Sequence, residues 1–328
     1  MEKLLFTLGI IASGLALGYL IQLVDRGGVM TLPLSIAVLR KTLQKIGLLF
    51  FMPISFLGAV WVVSFGDMRV AFLPLVGVCA LTVGGILGLL LSKLLKQSAK
   101  QTGVLFCCGS FTNIGAIGGL VCYMFLGEAG FALIALYKMF EEIVYYTIGF
   151  PIARFYSGET GERRSFARRI LGVVTDPFVA AALSAFCIGL SLNLLNVARP
   201  PFFETVTAVS IPVGTFIIIV SIGLGMRFSQ VGKYLPVSIG ICVIKFMLVP
   251  IIACTLAYLF DLHLVADGLP FKVVLVLSSM PVAFNALVAS SIYDLDLDMA
   301  NSCWLISTGS LVVVMPWLYF LLSTSFSF

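Results

Sequence analysis

Apolar residues fill ten long runs of the chain, at about 4–24, 33–65, 70–95, 103–126, 129–156, 170–197, 205–227, 233–260, 268–293 and 297–324. Each is long enough for a helix to cross a hydrocarbon core about 30 Å thick, which takes about 20 residues. Only short polar connections separate the runs, and the longest, 157–169, leaves no room for a soluble domain. In lipid a helix satisfies its own backbone groups without closing a barrel, so the pattern predicts a polytopic, all-α membrane protein. The second run is over-long, and its first part, with Arg40, Lys41 and Lys45, is expected at the interface. The first run carries Glu2 beside Lys3, and no small-residue cleavage site follows before Asp25. It reads as the first transmembrane helix rather than a signal peptide.

Composition agrees with this reading. The 328 residues are 60% hydrophobic and 11% charged, against about 25% charged in a soluble domain. Charge also sets the orientation. With ten crossings, one side collects Arg26, Arg40, Lys41, Lys45, Lys93, Lys96, Lys100, Arg154, Arg163, Arg164, Arg168, Arg169, Arg227 and Lys233. The other side holds only Lys3, Arg69, Arg199 and Lys272. By the positive-inside rule both termini lie outside the cytoplasm, in a multi-pass protein of the cell membrane. The net charge of +5 therefore reflects membrane sidedness and not nucleic-acid binding. All eight cysteines fall in apolar runs and the single histidine, His263, in a short loop, so neither a disulfide framework nor a metal site is implied. No nucleophile–base pair or spaced ligand set marks a membrane enzyme.

The connection at 157–169 divides the runs five and five, giving repeats at 1–156 and 170–328 about a short basic cytoplasmic linker. SGLALGYLIQL (13–23) matches SAFCIGLSLNL (184–194), the second helices carry Pro53 and Pro212, and the fifth helices carry Pro151 and Pro316. Five is odd, so the two halves enter the membrane from opposite sides, as in the inverted repeats of secondary transporters. The fourth helix of each half is interrupted. CCGSFTNIGAIGG (107–119) places Ser110, Thr112, Asn113 and Gly115 at membrane depth; SSMPVAFNALVASS (278–291) places Pro281 and Asn285 there. Broken helices present unpaired N–H groups suited to a carboxylate and unpaired C=O groups suited to a cation. Close helix packing, with asparagine as interhelical glue, is the other reading of either break alone. The matched pair favours a site.

These motifs, GSFTNIGAIG, MPVAFNALVAS and the mid-helix proline of the second helix, resemble the auxin efflux carrier family over essentially the whole chain. The resemblance implies a ten-helix fold shared with the bile acid sodium symporter superfamily. There the fourth and ninth helices cross at the midplane of a mobile core, flanked by a panel of the first, second, sixth and seventh. It places the crossover asparagines on Asn113 and Asn285 and the crossover proline on Pro281. Here the fourth-helix motif ends in GGLV (118–121) without the family's proline, and the linker between the halves is short. Auxin itself is not carried over as substrate; bacterial relatives are more often linked with malate, malonate or similar carboxylates.

Four charges sit within the runs. LYKMFEEIVYY (136–146) holds Lys138, Glu141 and Glu142, and CVIKFMLVP (242–250) holds Lys245. Even low estimates of a central charge are about 2.5–3.5 kcal/mol, so such residues are functional candidates. Lys138 can reach Glu141 or Glu142 along one helix face, leaving a carboxylate for Lys245 or for a proton. Glu141 or Glu142 is then the expected proton-coupling group, with Lys138 and Lys245 drawing the anion; a closed set of two ion pairs is the other reading. Bland roles suit the remaining polar features. Asp176 before Pro177 reads as a helix start, RRSFARR (163–169) as a lipid-anchoring turn, and DLDLD (294–298) as a solvated turn. Trp61, Trp304 and Trp317 read as interfacial. The expectation is a secondary active transporter, for efflux or exchange, of a small organic anion such as a carboxylate. It needs no cofactor, with H+ preferred to Na+ as coupling ion and with a homodimer open. A sodium symporter, or a channel or sensor on the same fold, is the alternative.

Overall fold

A computed structural model describes residues 2–27, 34–63, 67–158, 177–228 and 230–324. Asp176 and the basic turn 163–169, with nearly all of the 157–169 linker, lie outside the described residues. The helices are α1 (Glu2–Arg26), α2 (Ile36–Val62), α3 (Met68–Leu94), α4 (Ala99–Ser110), α5 (Gly119–Tyr137), α6 (141–157), α7 (Pro177–Leu194), α8 (Phe202–Gly223), α9 (Leu235–Leu259), α10 (Leu269–Ser278), α11 (Asn285–Ile292), α12 (Leu297–Gly309) and α13 (Leu311–Thr324). Among the described residues seven stretches are long and apolar enough to cross a membrane, or eight if α12 and α13, bent by 44°, make one. The sequence predicts ten, and two features account for the difference. Two runs fall within the 44-residue stretch Ile114–Ser157, which counts once although Gly127 leaves helical geometry inside it (φ 74°, ψ −167°). α4 and α10 are only 12 and 10 residues long, because each is interrupted. Large apolar side chains such as Leu20, Leu90, Ile239, Ile251 and Val313 point outward. With the span lengths, they define a multi-span helical membrane protein.

Three helices widen by one π-helical turn: α2 at Gly47–Phe51, α6 at Tyr145–Gly149 and α9 at Ile244–Leu248. A proline is the second residue after each turn: Pro53, Pro151 and Pro250. A proline ring collides with the carbonyl four residues back, here Leu49, Thr147 or Phe246. Each of these lies in the widened turn, which makes room for the ring and keeps the helix running.

The chain packs as two compact units, each drawn from both halves of the sequence. The first comprises Met1–Phe65, Gly115–Ala135 and Asp176–Met226. It holds α1, α2, α7 and α8, the four helices that the resemblance groups as a panel, with most of α5. α1 runs against α8 so closely that a Cβ on Gly18 would strike the Val220 carbonyl. α7 packs on α2, and Asn193 closes the end of α2 by presenting its amide N–H₂ to the carbonyls of Val60, Trp61 and Val63 at 3.2, 2.8 and 2.8 Å. Arg199 pairs with Glu128 and donates to the Gly58 carbonyl at 3.0 Å.

The second unit comprises Gly66–Ile114, Leu136–Thr175 and Arg227–Phe328. α3 and α4 touch backbone to backbone: a Cβ on Gly84 would strike the Gly109 carbonyl, and one on Gly109 the Gly84 carbonyl. α9 lies against α3, α10 and α12, and α12 also meets α4 and α11. The DLDLD run is more ordered than a solvated turn. Asp296 caps α12 by accepting the Met299 N–H at 3.0 Å, and also accepts from Gln101 at 3.1 Å and Tyr234 at 2.8 Å. Lys100 pairs with Asp294 at 2.5 Å. Trp304, read as interfacial, is instead 1% exposed and meets Phe284 edge to face.

Candidate functional site

α4 starts sharply at a capping box, in which Ser98 accepts the Gln101 N–H and Gln101 reaches back to the Ser98 N–H at 3.2 Å. It stops at Phe111, whose backbone is extended (φ −78°, ψ 120°). The ring of Phe111 is held by Tyr145, 4.1 Å between centroids, and by Phe150, so the chain cannot coil on through it. α10 ends at Ser278 ahead of Pro281, which lacks an N–H and biases the residue before it toward extended backbone.

The two breaks pair with each other. Thr112 and Val282 form an antiparallel bridge. The Asn113 N–H donates to the Pro281 carbonyl at 2.9 Å, and the Ala283 N–H to the Phe111 carbonyl at 3.0 Å. Side-chain hydroxyls take the donors left over: Ser307 accepts the Val282 N–H at 3.2 Å, and Tyr145 accepts the Thr112 N–H at 3.1 Å. Backbone groups that lipid could not satisfy are thus tied up where both helices are interrupted. Beside them the buried side-chain hydroxyl of Ser110 has no hydrogen-bond partner.

The charges gather round this bridge. Lys245 lies in the π-turn of α9, is 0% exposed, and donates to Thr112 Oγ1 at 2.6 Å. Thr112 passes its own proton to the Ser110 carbonyl at 3.3 Å. Among the described residues no carboxylate lies within ion-pair distance of Lys245. Glu141, 5% exposed, pairs instead with Lys138 at 3.2 Å and accepts from the Tyr145 hydroxyl at 2.8 Å. Lys138, Glu141, Tyr145, Thr112 and Lys245 therefore form one continuous polar chain. A buried lysine amine with no carboxylate beside it is costly to charge, and a neighbouring anion would offset that cost.

Of the residues read from the sequence, Ser110, Thr112, Asn113, Pro281, Lys138, Glu141 and Lys245 come together here. Asn113 joins through its backbone, and Pro281 through its carbonyl. Glu142 is half-buried and adds negative charge near Lys138. Asn285 opens α11 half-buried. Gly115 begins the stretch that belongs to the first unit. Tyr145 and Ser307 went unrecognised in the sequence. Tyr145 stands four residues after Glu141, the spacing that places two side chains on one helix face, and that signal was available. Ser307 offers none.

No known protein-family model matches the chain. It is 26% identical over 255 residues to an uncharacterized transporter of Methanocaldococcus jannaschii, covering 75% of this chain and 77% of that protein. It is 22% identical over 254 residues to an uncharacterized transporter of Methanothermobacter thermautotrophicus, covering 76% and 78%. The chain is thus a distant homologue of archaeal proteins described as transporters.

Proposed function

We propose that the chain is a secondary active transporter of a small organic anion, a carboxylate in the first instance, bound at the crossing of α4 and α10 and driven by protons. The single observation that carries this reading is Lys245: a fully buried lysine amine, bonded to Thr112 of the crossing, with no carboxylate in ion-pair reach among the described residues. Distant homology to proteins described as transporters supports the class. The resemblance to the auxin efflux carrier family supports the ten-helix inverted repeat, and the sidedness of the basic residues supports both termini outside the cytoplasm. Ser110, Thr112, Asn113 and Asn285 supply the neutral hydrogen-bonding groups of the site, and Lys245 the positive one. Of the two candidate coupling carboxylates, Glu141 and Glu142, this reading assigns the proton to Glu141, supported by its hydrogen bond to Tyr145 in the same polar chain.

The test is uptake by proteoliposomes of labelled malate, malonate and indole-3-acetate, under a pH gradient and then a sodium gradient, with Asn113→Ala/Asn285→Ala as control. Accumulation driven by pH and lost in the control is the expected result. Accumulation driven by sodium alone would replace the proton by a cation held on crossing oxygens. Failure of folded protein to move any anion, or flux without saturation or counterflow, would sink the carrier reading in favour of a sensor or a channel.

A further inference from the structure

Three hydrogen bonds meet on one phenol oxygen. Tyr145 is 1% exposed, with its ring fixed against Phe111, and its hydroxyl accepts the Thr112 N–H at 3.1 Å. It has two acceptors within reach, Glu141 Oε1 at 2.8 Å and the Thr112 carbonyl at 3.3 Å. A phenol carries one proton, so it serves one acceptor at a time. While Glu141 is ionised, the shorter, charge-assisted bond keeps that proton on the carboxylate side. Once Glu141 is protonated, the acid itself becomes the donor to the phenol oxygen. The phenol proton then turns to the Thr112 carbonyl, already in place to receive it.

We propose that Tyr145 is a positioning residue, a hydroxyl rotor that reports the protonation state of Glu141 to the Thr112 peptide unit at the crossing. The charged and titratable groups around Glu141 are few. Lys138 faces it at 3.2 Å, Glu142 follows it in α6, Lys245 of α9 stands at the far end of the polar chain, and Cys108 of α4 lies beside Lys245. Protonating Glu141 removes a negative charge from the chain and gives the Thr112 carbonyl, which already accepts the Ile114 N–H at 2.8 Å, a second donor. Both changes make the crossing more favourable to an anion. Proton and anion therefore bind together, and by linkage each strengthens the other.

The transport consequence rests on the anion-carrier reading, whereas the rotor can be read without any substrate. On acidification, infrared difference spectra of the protein in lipid should show a protonated side-chain carboxyl band that is absent in Glu141→Gln. The band should be shifted in Tyr145→Phe, which keeps the ring and loses only the hydroxyl. Should that variant not fold, 3-fluorotyrosine at position 145 strengthens the phenol donor and must shift the same band. In proteoliposomes, the pH dependence of the half-saturating anion concentration should flatten by about tenfold in Tyr145→Phe, the scale of one charge-assisted hydrogen bond. A Glu141 band indifferent to both changes at Tyr145, or no such band, overturns the proposal whatever transport shows. A band that behaves as expected in a protein that moves no anion upholds the rotor and removes the carrier reading.

Discussion

Gly84 of α3 and Gly109 of α4 stand carbonyl against Cα, so that neither has room for a single added methyl group. The contact lies one residue before Ser110, where the helix breaks. Gly84→Ala and Gly109→Ala are each expected to push α4 off α3 and carry the break with it. Overpacking costs about 1–3 kcal/mol, and a methyl driven against backbone belongs at the upper end. Thermal unfolding in detergent should show both variants destabilised. The double variant should be worse than either, since each methyl strikes main chain and not the other methyl.

Lys245 separates stability from binding. Lys245→Met removes a buried charge and keeps the unbranched apolar stem, so folding should survive or improve. Anion affinity should fall by at least about thirty-fold, as for loss of one buried charged partner. Equilibrium binding of a labelled carboxylate, alongside the melting temperature, reads both quantities. A variant that binds as well as the unaltered protein would move the anion away from the crossing.

Asn193 gives a test in the first unit. Its amide N–H₂ faces three carbonyls at the end of α2. Asn193→Asp is nearly isosteric but turns a donor into a third kind of acceptor, leaving those carbonyls to face a carboxylate. Loss of about 1–3 kcal/mol of stability is expected, recoverable in part at acid pH as the aspartate gains its proton. Unfolding curves at two pH values check both statements.

The start of α4 is tied to the turn between α11 and α12 by Lys100 and Asp294, two residues far apart in sequence. The hydrogen bond and charge of Lys100 hold the Asp294 carboxyl below the ordinary aspartate value of 3.8. A depressed carboxylate stabilises the fold above its unfolded-state pKa, and that contribution disappears as pH falls through the folded value. Asp294→Asn should therefore be less stable than the unaltered protein at neutral pH and converge with it in acid, below the ordinary carboxylate range. Because both groups are exposed, the difference should be small and should shrink in high salt. Melting temperatures across a pH series at two salt concentrations test this.

The interruptions of α4 and α10 were legible in the sequence because Gly109, Pro281 and the clustered Ser110, Thr112 and Asn113 are poor company for a continuous helix. Their pairing was not. A bridge between Thr112 and Val282 is made of main-chain atoms, which leave no trace in residue types. The Lys138–Glu141 pair followed from helical spacing, whereas the position of Lys245 depends on how α9 packs, and spacing says nothing of that. Trp304 went astray for a related reason. Amphipathic aromatics favour the membrane interface on average, but tertiary packing, with Phe284 edge to face among its neighbours, buries this one. The span count differed because a run of apolar residues measures hydrophobic length, while a crossing can be assembled from shorter pieces.

The bridge at the crossing is held by peptide groups, with Ser307 and Tyr145 contributing only a hydroxyl each. Its frame is therefore indifferent to most of the side chains it displays. Ser110, Asn113 and Asn285 can be exchanged in descendants of this sequence while the two breaks keep their pairing. On the anion-carrier reading, selectivity can then drift among lineages on an unchanging support, much as a lock can be re-keyed without recasting its body.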